Sequence, residues 1–173
     1  MSLESLLSQM GVDEQINDYP IDQWHPESCG DIDIRIARDG SWWHEGTRIR
    51  RERLVRLFSA LLKCEEGQHY LITPVEKMRI QVEDRPLQVV FIDDTGEGAT
   101  AVTADGRTIT IGDDHPLKFS VLDGVQVAEV YVNHGLWARF NRNAFYELAT
   151  KAEEGSDGRF FLTIAGTTYF LDS

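Results

Sequence analysis

The chain lacks the features of a secreted or membrane-spanning protein. Only two of its 173 residues are cysteines, Cys29 and Cys64, which is too few for a disulfide framework. We expect both thiols to be reduced and Cys29 to be a small buried hydrophobe. No stretch approaches the ~20 apolar residues of a membrane span, and the first residues lack the basic flank and apolar core of a signal peptide. These absences predict a cytoplasmic protein.

Positive charge is also scarce. Lysine and arginine number 17 against 29 aspartates and glutamates, a formal net charge of −12. A nucleic-acid-binding surface needs a basic face, and anionic membranes attract basic segments, so neither partner is expected. At 42% hydrophobic residues, with four Trp, five Tyr and eight Phe, the chain can fill a core without a structural metal.

Motifs that would identify a reaction are missing. His44-Glu-Gly lacks the second histidine of a zinc-protease helix. Asp31 and Asp33 share a predicted strand face, but no histidine or cysteine flanks them at ligand spacing. Gly96 and Gly98 precede no helix that could hold a phosphate, and no GxSxG motif is present. We therefore predict no catalytic residue, no metal ligand and no cofactor.

The strongest internal signal is a repeated pattern of hairpin, helix and hairpin. Its first copy begins near Ile32 and its second near Val127. Corresponding positions lie 91 residues apart: Leu57 with Leu148, Gly67 with Gly158, Tyr70 with Phe161 and Leu71 with Leu162. This duplication predicts two similar lobes with a seam between them, where a ligand or a partner could bind.

Local patterns in the first half predict one hairpin, one helix and two further strands. Ile32, Ile34 and Ile36 alternate with polar residues, and Asp39-Gly40 predicts the turn into a return strand over 42–44. A helix follows from apolar residues at helical spacing, which are Leu54, Leu57, Phe58 and Leu61. Gly67 is expected to end that helix region, before strands over 70–73 and 75–83.

The second half predicts an antiparallel meander that runs into a second helix. The meander strands span 87–93, 101–103, 108–111, 117–122 and 125–132, with turns at Asp105-Gly106 and Asp123-Gly124. Asn141 or Asn143 should cap a helix whose apolar stripe is Phe145, Leu148, Ala149 and Ala152. A final hairpin over 160–164 and 168–171 turns at Ala165-Gly166.

Together these elements predict an α+β fold with mostly antiparallel sheets. We expect an N-terminal helix and linker over 1–23, a first lobe over 24–84, and a second lobe over 85–173. The N-terminal helix rests on apolar spacing, at Leu3, Leu6, Leu7 and Met10.

One cluster of charge departs from the acidic average. Five arginines crowd the start of the first predicted helix: Arg48, Arg50, Arg51, Arg53 and Arg56. A helix N-terminus already carries partial positive charge, so these arginines need compensating anions. The anions are either acidic side chains of the chain itself or an anionic ligand. The second helix begins near Arg139 and Arg142, and nearby aromatics could stack on a planar base: Trp42, Trp43, Tyr131 and Trp137.

Several runs resemble the bacterial family called domain of unknown function 1285. They are Cys29-Gly-Asp-Ile-Asp-Ile-Arg-Ile, Trp43-His-Glu-Gly, Tyr70-Leu-Ile-Thr-Pro-Val-Glu-Lys, Gln81-Val-Glu-Asp, His115-Pro-Leu and Gly135-Leu-Trp-Ala-Arg-Phe-Asn-Arg. The resemblance covers the chain from about Trp24 onward. It implies a duplicated core, a C-terminal half similar to a pleckstrin-homology-like barrel, a pocket between the halves for a nucleotide-like ligand, and a signalling role. It brings no enzymatic activity.

The predicted ligand-binding residues come from these two sources. Those that stand in or beside the matching runs are Arg35, His44, Thr73, Glu76, Lys77, Tyr131 and Arg139. The arginine-rich helix starts add Arg48, Arg50 and Arg142. We expect a non-catalytic sensor or adaptor that binds a small anionic, nucleotide-based ligand at the seam. The alternatives are a protein–protein interaction module, with a protein partner or a second copy of the chain, and an enzyme with His44 as general base.

Overall fold

A computed structural model describes residues 19–94, 96 and 98–172. The predicted N-terminal helix lies outside the described residues. The chain divides into two compact units: unit 1 holds the described residues up to Pro86 together with His134–Leu136, and unit 2 holds Leu87–Asn133 and the residues from Trp137 onward. No described helix has the length and apolar character needed to cross a membrane.

Unit 1 contains a six-stranded sheet and one α-helix, preceded by a 3₁₀ helix at Ile21–Gln23. Its elements are β1 (Ser28–Ile36), β2 (Trp42–His44), β3 (Thr47–Arg48), α1 (Glu52–Ala60), β4 (Leu62–Glu65), β5 (Gln68–Ile72) and β6 (Glu76–Val82). The strand order is β3-β2-β1-β6-β5-β4. Every neighbouring pair is antiparallel except the central pair, β1 with β6, which is parallel.

Unit 2 contains a second six-stranded sheet, one α-helix and a small three-stranded sheet. Its elements are β7 (Leu87–Asp94), β8 (Ala99–Thr103), β9 (Thr108–Thr110), β10 (Leu117–Leu122), β11 (Val125–Tyr131), β12 (Trp137–Phe140), α2 (Arg142–Ala149), β13 (Glu153–Glu154), β14 (Phe160–Ile164) and β15 (Thr167–Phe170). The large sheet has the order β10-β11-β12-β7-β8-β9, again with one parallel pair at its centre, β12 with β7.

The fold is α+β, and the two units are similar. When the strands of each large sheet are numbered from the first strand of that unit, both sheets have the order 3-2-1-6-5-4. In unit 2 this order runs from β9 to β10. The duplicated structure is therefore the six-stranded sheet. The sequence pattern that repeats after 91 residues does not mark corresponding strands of the two sheets. After α1 the chain enters the large sheet through β4 and β5, whereas after α2 it forms the separate sheet β13-β14-β15.

The predicted continuous meander in the second half is wrong at one point. β9 and β10 do not pair but form opposite edges of the unit 2 sheet, because β12 pairs with β7 between them. The two edge strands of this sheet therefore do not hydrogen-bond to each other, and the sheet does not close into a barrel. The likeness to a pleckstrin-homology-like barrel stays a prediction.

Alternating burial defines the core of unit 1. Ile34 and Ile36 of β1 and Met78 and Ile80 of β6 are buried, while their neighbours in sequence are half-buried or exposed. The helix α1 adds Phe58, whose ring lies 6.1 Å from that of Trp42 on β2. Unit 1 is therefore a sheet with one apolar face, which α1 contacts through Phe58, and one polar face.

The end of the first helix was predicted wrongly. α1 ends at Ala60, and an unpredicted strand, β4, follows it. Gly67 lies in the turn between β4 and β5, where Glu66 and Gly67 both have positive φ (51° and 79°). Two left-handed residues form the turn that suits a two-residue hairpin.

Predictions based on local chemistry are confirmed. The side chain of Asn141 caps α2 by accepting a hydrogen bond from the Ala144 N–H at 2.8 Å. The turns at Asp123-Gly124 and Ala165-Gly166 have positive φ at both residues, as hairpin turns of this length require. Cys29, by contrast, is exposed rather than buried, and both cysteines are free thiols.

The segment His134–Leu136 belongs to unit 1 although its neighbours in sequence belong to unit 2. The Cys64 N–H donates to the carbonyl of His134 at 2.9 Å. Gly135 has φ +77°, and a Cβ atom there would lie 2.3 Å from the carbonyl oxygen of Cys64. This close approach of two backbones requires glycine.

We predict that Gly135→Ala is much more destabilising than Gly124→Ala. Both glycines have nearly the same φ, +77° and +78°, but nothing lies within 4 Å of a Cβ at Gly124. Gly124→Ala should lower the free energy of unfolding by about 1 kcal/mol, because alanine disfavours the left-handed conformation. Gly135→Ala should cost about 3 kcal/mol or more because the backbone must also move. Urea unfolding of both variants measures the difference, and equal losses would contradict the packing described.

Candidate functional site

Cross-strand register brings a set of mostly polar side chains to one face of the unit 1 sheet, which we call the polar face. Lys63 pairs with Tyr70, Tyr70 with Arg79 and Arg79 with Asp31, while Lys77 pairs with Cys29. Trp43 pairs with both Arg35 and Arg48, and Glu65 follows Lys63 by two residues. The polar face therefore includes Cys29, Asp31, Arg35, Trp43, Arg48, Lys63, Glu65, Tyr70, Lys77 and Arg79. Three predicted ligand-binding residues therefore share it: Arg35, Arg48 and Lys77.

Lys77 lies at the centre of one half of the polar face. Its ammonium group donates to the carboxylate of Glu65 and lies 4.3 Å from the centre of the Tyr70 ring. The hydrogen bond to Glu65 raises the pKa of Lys77, although burial opposes this. The same bond holds the pKa of Glu65 below its usual value. Lys77 is thus a fixed cation on an aromatic support.

A chain of charges continues from Glu65. Lys63 Nζ lies 3.2 Å from Glu65 and 3.4 Å from Asp22, and His134 Nδ1 lies 3.0 Å from Asp22. Burial tends to raise the pKa of Asp22, but the pKa is lowered overall by His134 and by hydrogen bonds from Lys63 and His134. Sequence reasoning missed Asp22, Lys63 and Glu65. The alternation of Leu62, Lys63, Cys64 and Glu65 has the period of a strand and could have revealed the last two.

The other half of the polar face has an aromatic residue between two arginines. Trp43 on β2 is the cross-strand partner of both Arg35 on β1 and Arg48 on β3. The Arg35 guanidinium lies 5.4 Å from the centre of the Trp43 ring and 2.6 Å from Glu83. The backbone N–H of Arg38 and the side chain of Arg35 lower the pKa of Glu83. Trp43 Nε1 donates to Ser41 Oγ at 2.9 Å, which fixes the ring.

Beyond Arg48, the arginine cluster leads into α1. Arg48, Arg50, Arg51 and Arg56 are all exposed. Arg48 contributes to a lowered pKa of Asp39, after hydrogen bonds from Ser41. Within the described part of the chain, Arg50, Arg51 and Arg56 make no ion pair with any carboxylate. Arg51 is the N-cap of α1, and no side chain caps the helix.

The start of α2 differs from the start of α1. Asn141 caps it, and Arg142 is its exposed first residue. Arg139 does not belong to the helix start, as the sequence suggested, but lies within β12. It is only 8% exposed, with Nη1 3.8 Å from Glu129, itself 2% exposed. The arginine-bearing helix start is therefore not a feature that the two units share.

The units do share a row of side chains across four strands. β4 and β10 correspond, and each begins with Leu-Lys. The rows that start from these lysines are Lys63–Tyr70–Arg79–Asp31 in unit 1 and Lys118–Glu129–Arg139–Gln88 in unit 2. In unit 2 a carboxylate lies between the lysine and the arginine, 3.8 Å from each. In unit 1 the uncharged Tyr70 takes that place.

The remaining predicted residues are held by local contacts. Thr73 is buried, and its hydroxyl accepts the Glu76 N–H at 3.0 Å, which forms the turn between β5 and β6. His44 pairs with Ile34, so it lies on the sheet face opposite Trp43. Tyr131 packs edge-to-face on Trp137, with ring centres 5.4 Å apart. Among residues 19–94, 96 and 98–172, no three His, Cys, Asp or Glu side chains converge as metal ligands.

The fold thus defines a class of duplicated α+β proteins in which each unit has a six-stranded sheet with a central parallel pair. Two family models match: the domain of unknown function (DUF1285) N-terminal domain over residues 19–85, and the protein of unknown function (DUF1285) C-terminal domain over residues 75–171. The chain belongs to the DUF1285 family.

Two solved structures are similar to this chain. A DUF1285 family protein from Silicibacter pomeroyi DSS-3 is 37% identical, with a TM-score of 0.88 over 98% of this chain and 94% of that one. A DUF1285 family protein from Shewanella baltica OS155 is 27% identical, with a TM-score of 0.57 over 68% of this chain and 90% of that one. No curated protein matches the chain.

We predict that the ion pair of Glu65 with Lys77 stabilises the protein only above acidic pH. Because the folded pKa of Glu65 is depressed, its contribution is present above the unfolded value near 4.5 and is lost as pH falls through the folded pKa. Glu65 is partly exposed, so Glu65→Gln should cost about 0.5 kcal/mol at pH 7. Urea unfolding from pH 7 to pH 3 measures this loss.

The matched control is Glu147→Gln, which neutralises an exposed carboxylate on α2. It should change the stability less at pH 7. If Glu65→Gln lowers the free energy of unfolding as much at pH 3 as at pH 7, the contribution of Glu65 to stability is not electrostatic.

Proposed function

We propose that this protein is a non-catalytic sensor or adaptor that binds a small anionic, nucleotide-like ligand, with a role in signalling. We place the anion contact at the row Arg35–Trp43–Arg48 and the adjoining Arg50. The observation that carries the proposal is this juxtaposition of an aromatic ring with arginines on neighbouring strands. A planar base can stack on Trp43 while guanidinium groups bind phosphate.

Charge supports the same site. In a chain with a net charge of −12, exposed arginines readily find carboxylates of their own. Arg50, Arg51 and Arg56 nevertheless form no ion pair with a described residue. Arg50 and Arg51 are neighbours in the sequence, and a bound anion would reduce the repulsion between their guanidinium groups. The start of α1 adds the positive end of a helix dipole next to them.

A comparison of the charges in unit 2 with those in unit 1 also supports the proposal. There, the chain itself supplies the anion, because Glu129 lies between Lys118 and Arg139. The buried Arg139 is therefore a poorer candidate for ligand binding than Arg48 or Arg50. Arg142 is exposed, but Asn141 already caps the helix that it begins.

We predict that ATP stabilises the protein through Arg48 and Arg50. A ligand that binds only the folded state at 100 times its Kd adds about 2.7 kcal/mol to the free energy of unfolding. ATP should therefore raise the melting temperature. Arg48→Ala and Arg50→Ala should each weaken ATP binding roughly tenfold or more, since a hydrogen bond to a charged group contributes about 1.5–3 kcal/mol.

Two controls make this test specific. Arg159→Ala removes the same charge from unit 2, where Arg159 lies over the Phe170 ring, and should leave ATP binding unchanged. Arg48→Lys keeps the charge but loses the planar fork, and should bind less well than the wild type. No stabilisation by ATP, AMP or inorganic phosphate would overturn the proposal. Turnover of ATP that His44→Ala abolishes would favour the enzyme instead.

A further inference from the structure

A pocket of about 460 Å³ in unit 2 has a character opposite to that of the arginine cluster. Its apolar lining comes from Ala149, the last residue of α2, from Ala152 just beyond the helix, from Phe160 on β14, and from Leu171. Gln126 and Asp172 supply its polar lining. The Gln126 side-chain N–H donates to the Leu171 carbonyl, which leaves the amide oxygen of Gln126 as an acceptor.

One carboxylate lines this pocket, and a second is the cross-strand neighbour of one of its lining residues. Asp172 lines it, and Glu154 is the cross-strand partner of Phe160, so the two side chains lie on the same face of the small sheet. Both carboxylates are exposed, and neither makes an ion pair or a side-chain hydrogen bond with a described residue. The pocket therefore presents negative charge that the described chain does not neutralise.

The cations nearest in sequence are engaged elsewhere. Lys151 donates to Asp94, and Arg159 lies 4.0 Å from the centre of the Phe170 ring. Phe170 pairs with Phe161, so the Arg159 guanidinium over its ring lies on the face opposite Phe160. All of these features favour a cation in the pocket.

Exposed apolar side chains extend the surface beyond the pocket. Phe160, which lines the pocket, is 48% exposed. Val121, the cross-strand partner of the lining residue Gln126, is 65% exposed. Exposed apolar side chains beside a charged pocket are typical of a protein-binding site rather than of a site for a free small cation.

We propose that this pocket binds an arginine side chain from an exposed segment of a protein partner. The aliphatic stem of the arginine packs on Ala149 and Ala152, and its guanidinium plane stacks on Phe160. The planar fork donates to Asp172, Glu154 and the amide oxygen of Gln126. The proposal does not depend on the anion site, which lies in unit 1 and has the opposite charge.

The test is fluorescence anisotropy with a labelled peptide that carries one arginine between two leucines. A second peptide has citrulline in place of arginine, which keeps the shape but removes the charge. The arginine peptide should bind saturably and at least tenfold more tightly than the citrulline peptide. Glu154→Gln and Asp172→Asn should each weaken its binding severalfold, and the double variant should weaken it further.

Glu153→Gln is the matched control. Glu153 pairs with Phe161, whose ring packs with Phe170 on the opposite face of the sheet, so this variant should bind like the wild type. Equal affinity for the arginine and citrulline peptides would overturn the proposal. So would an absence of saturable binding, or a loss in Glu153→Gln as large as that in Glu154→Gln.

Discussion

Each large sheet depends on one pair of parallel strands at its centre, β1 with β6 and β12 with β7. The outer pairs in each sheet are local antiparallel neighbours, which short turns can form. Only the parallel pair joins two three-stranded meanders into a single sheet. It also sets the register that places Cys29 beside Lys77 and Arg35 beside Gln81. The polar face of unit 1 exists because of this pairing.

The same architecture holds different chemistry in the two units. Lysine and arginine recur at corresponding places, but the residue between them is Tyr70 in unit 1 and Glu129 in unit 2. In unit 2 the charges of the buried Glu129 and Arg139 compensate one another, and such an ion pair helps to specify one arrangement. In unit 1 the positive charges extend along an exposed edge to Arg48 and Arg50. After duplication the two units have diverged, and unit 1 is therefore where we propose the anion site.

The sequence predicted local structure well and long-range structure poorly. Asn141 and the glycine turns act within four residues, so their chemistry is visible in the sequence. The strand β4 was missed because four alternating residues directly after a helix give a weak signal that pairing with β5 reinforces. The pairing of Asp31 with Arg79 spans 48 residues, and no local pattern encodes it. Arg139 was placed at a helix start because only the register of β11 with β12 shows that Glu129 is its neighbour.

We propose that a small anion binds unit 1 where Trp43 lies between Arg35 and Arg48. An NMR titration of the ¹⁵N-labelled protein with ATP tests it most directly, because the Trp43 indole N–H and the amides of Arg48 and Arg50 report from the site itself. We predict saturable shifts at these three resonances, with those of Arg139 and Arg142 unmoved. Saturable shifts confined to unit 2, or none at all, would contradict the account.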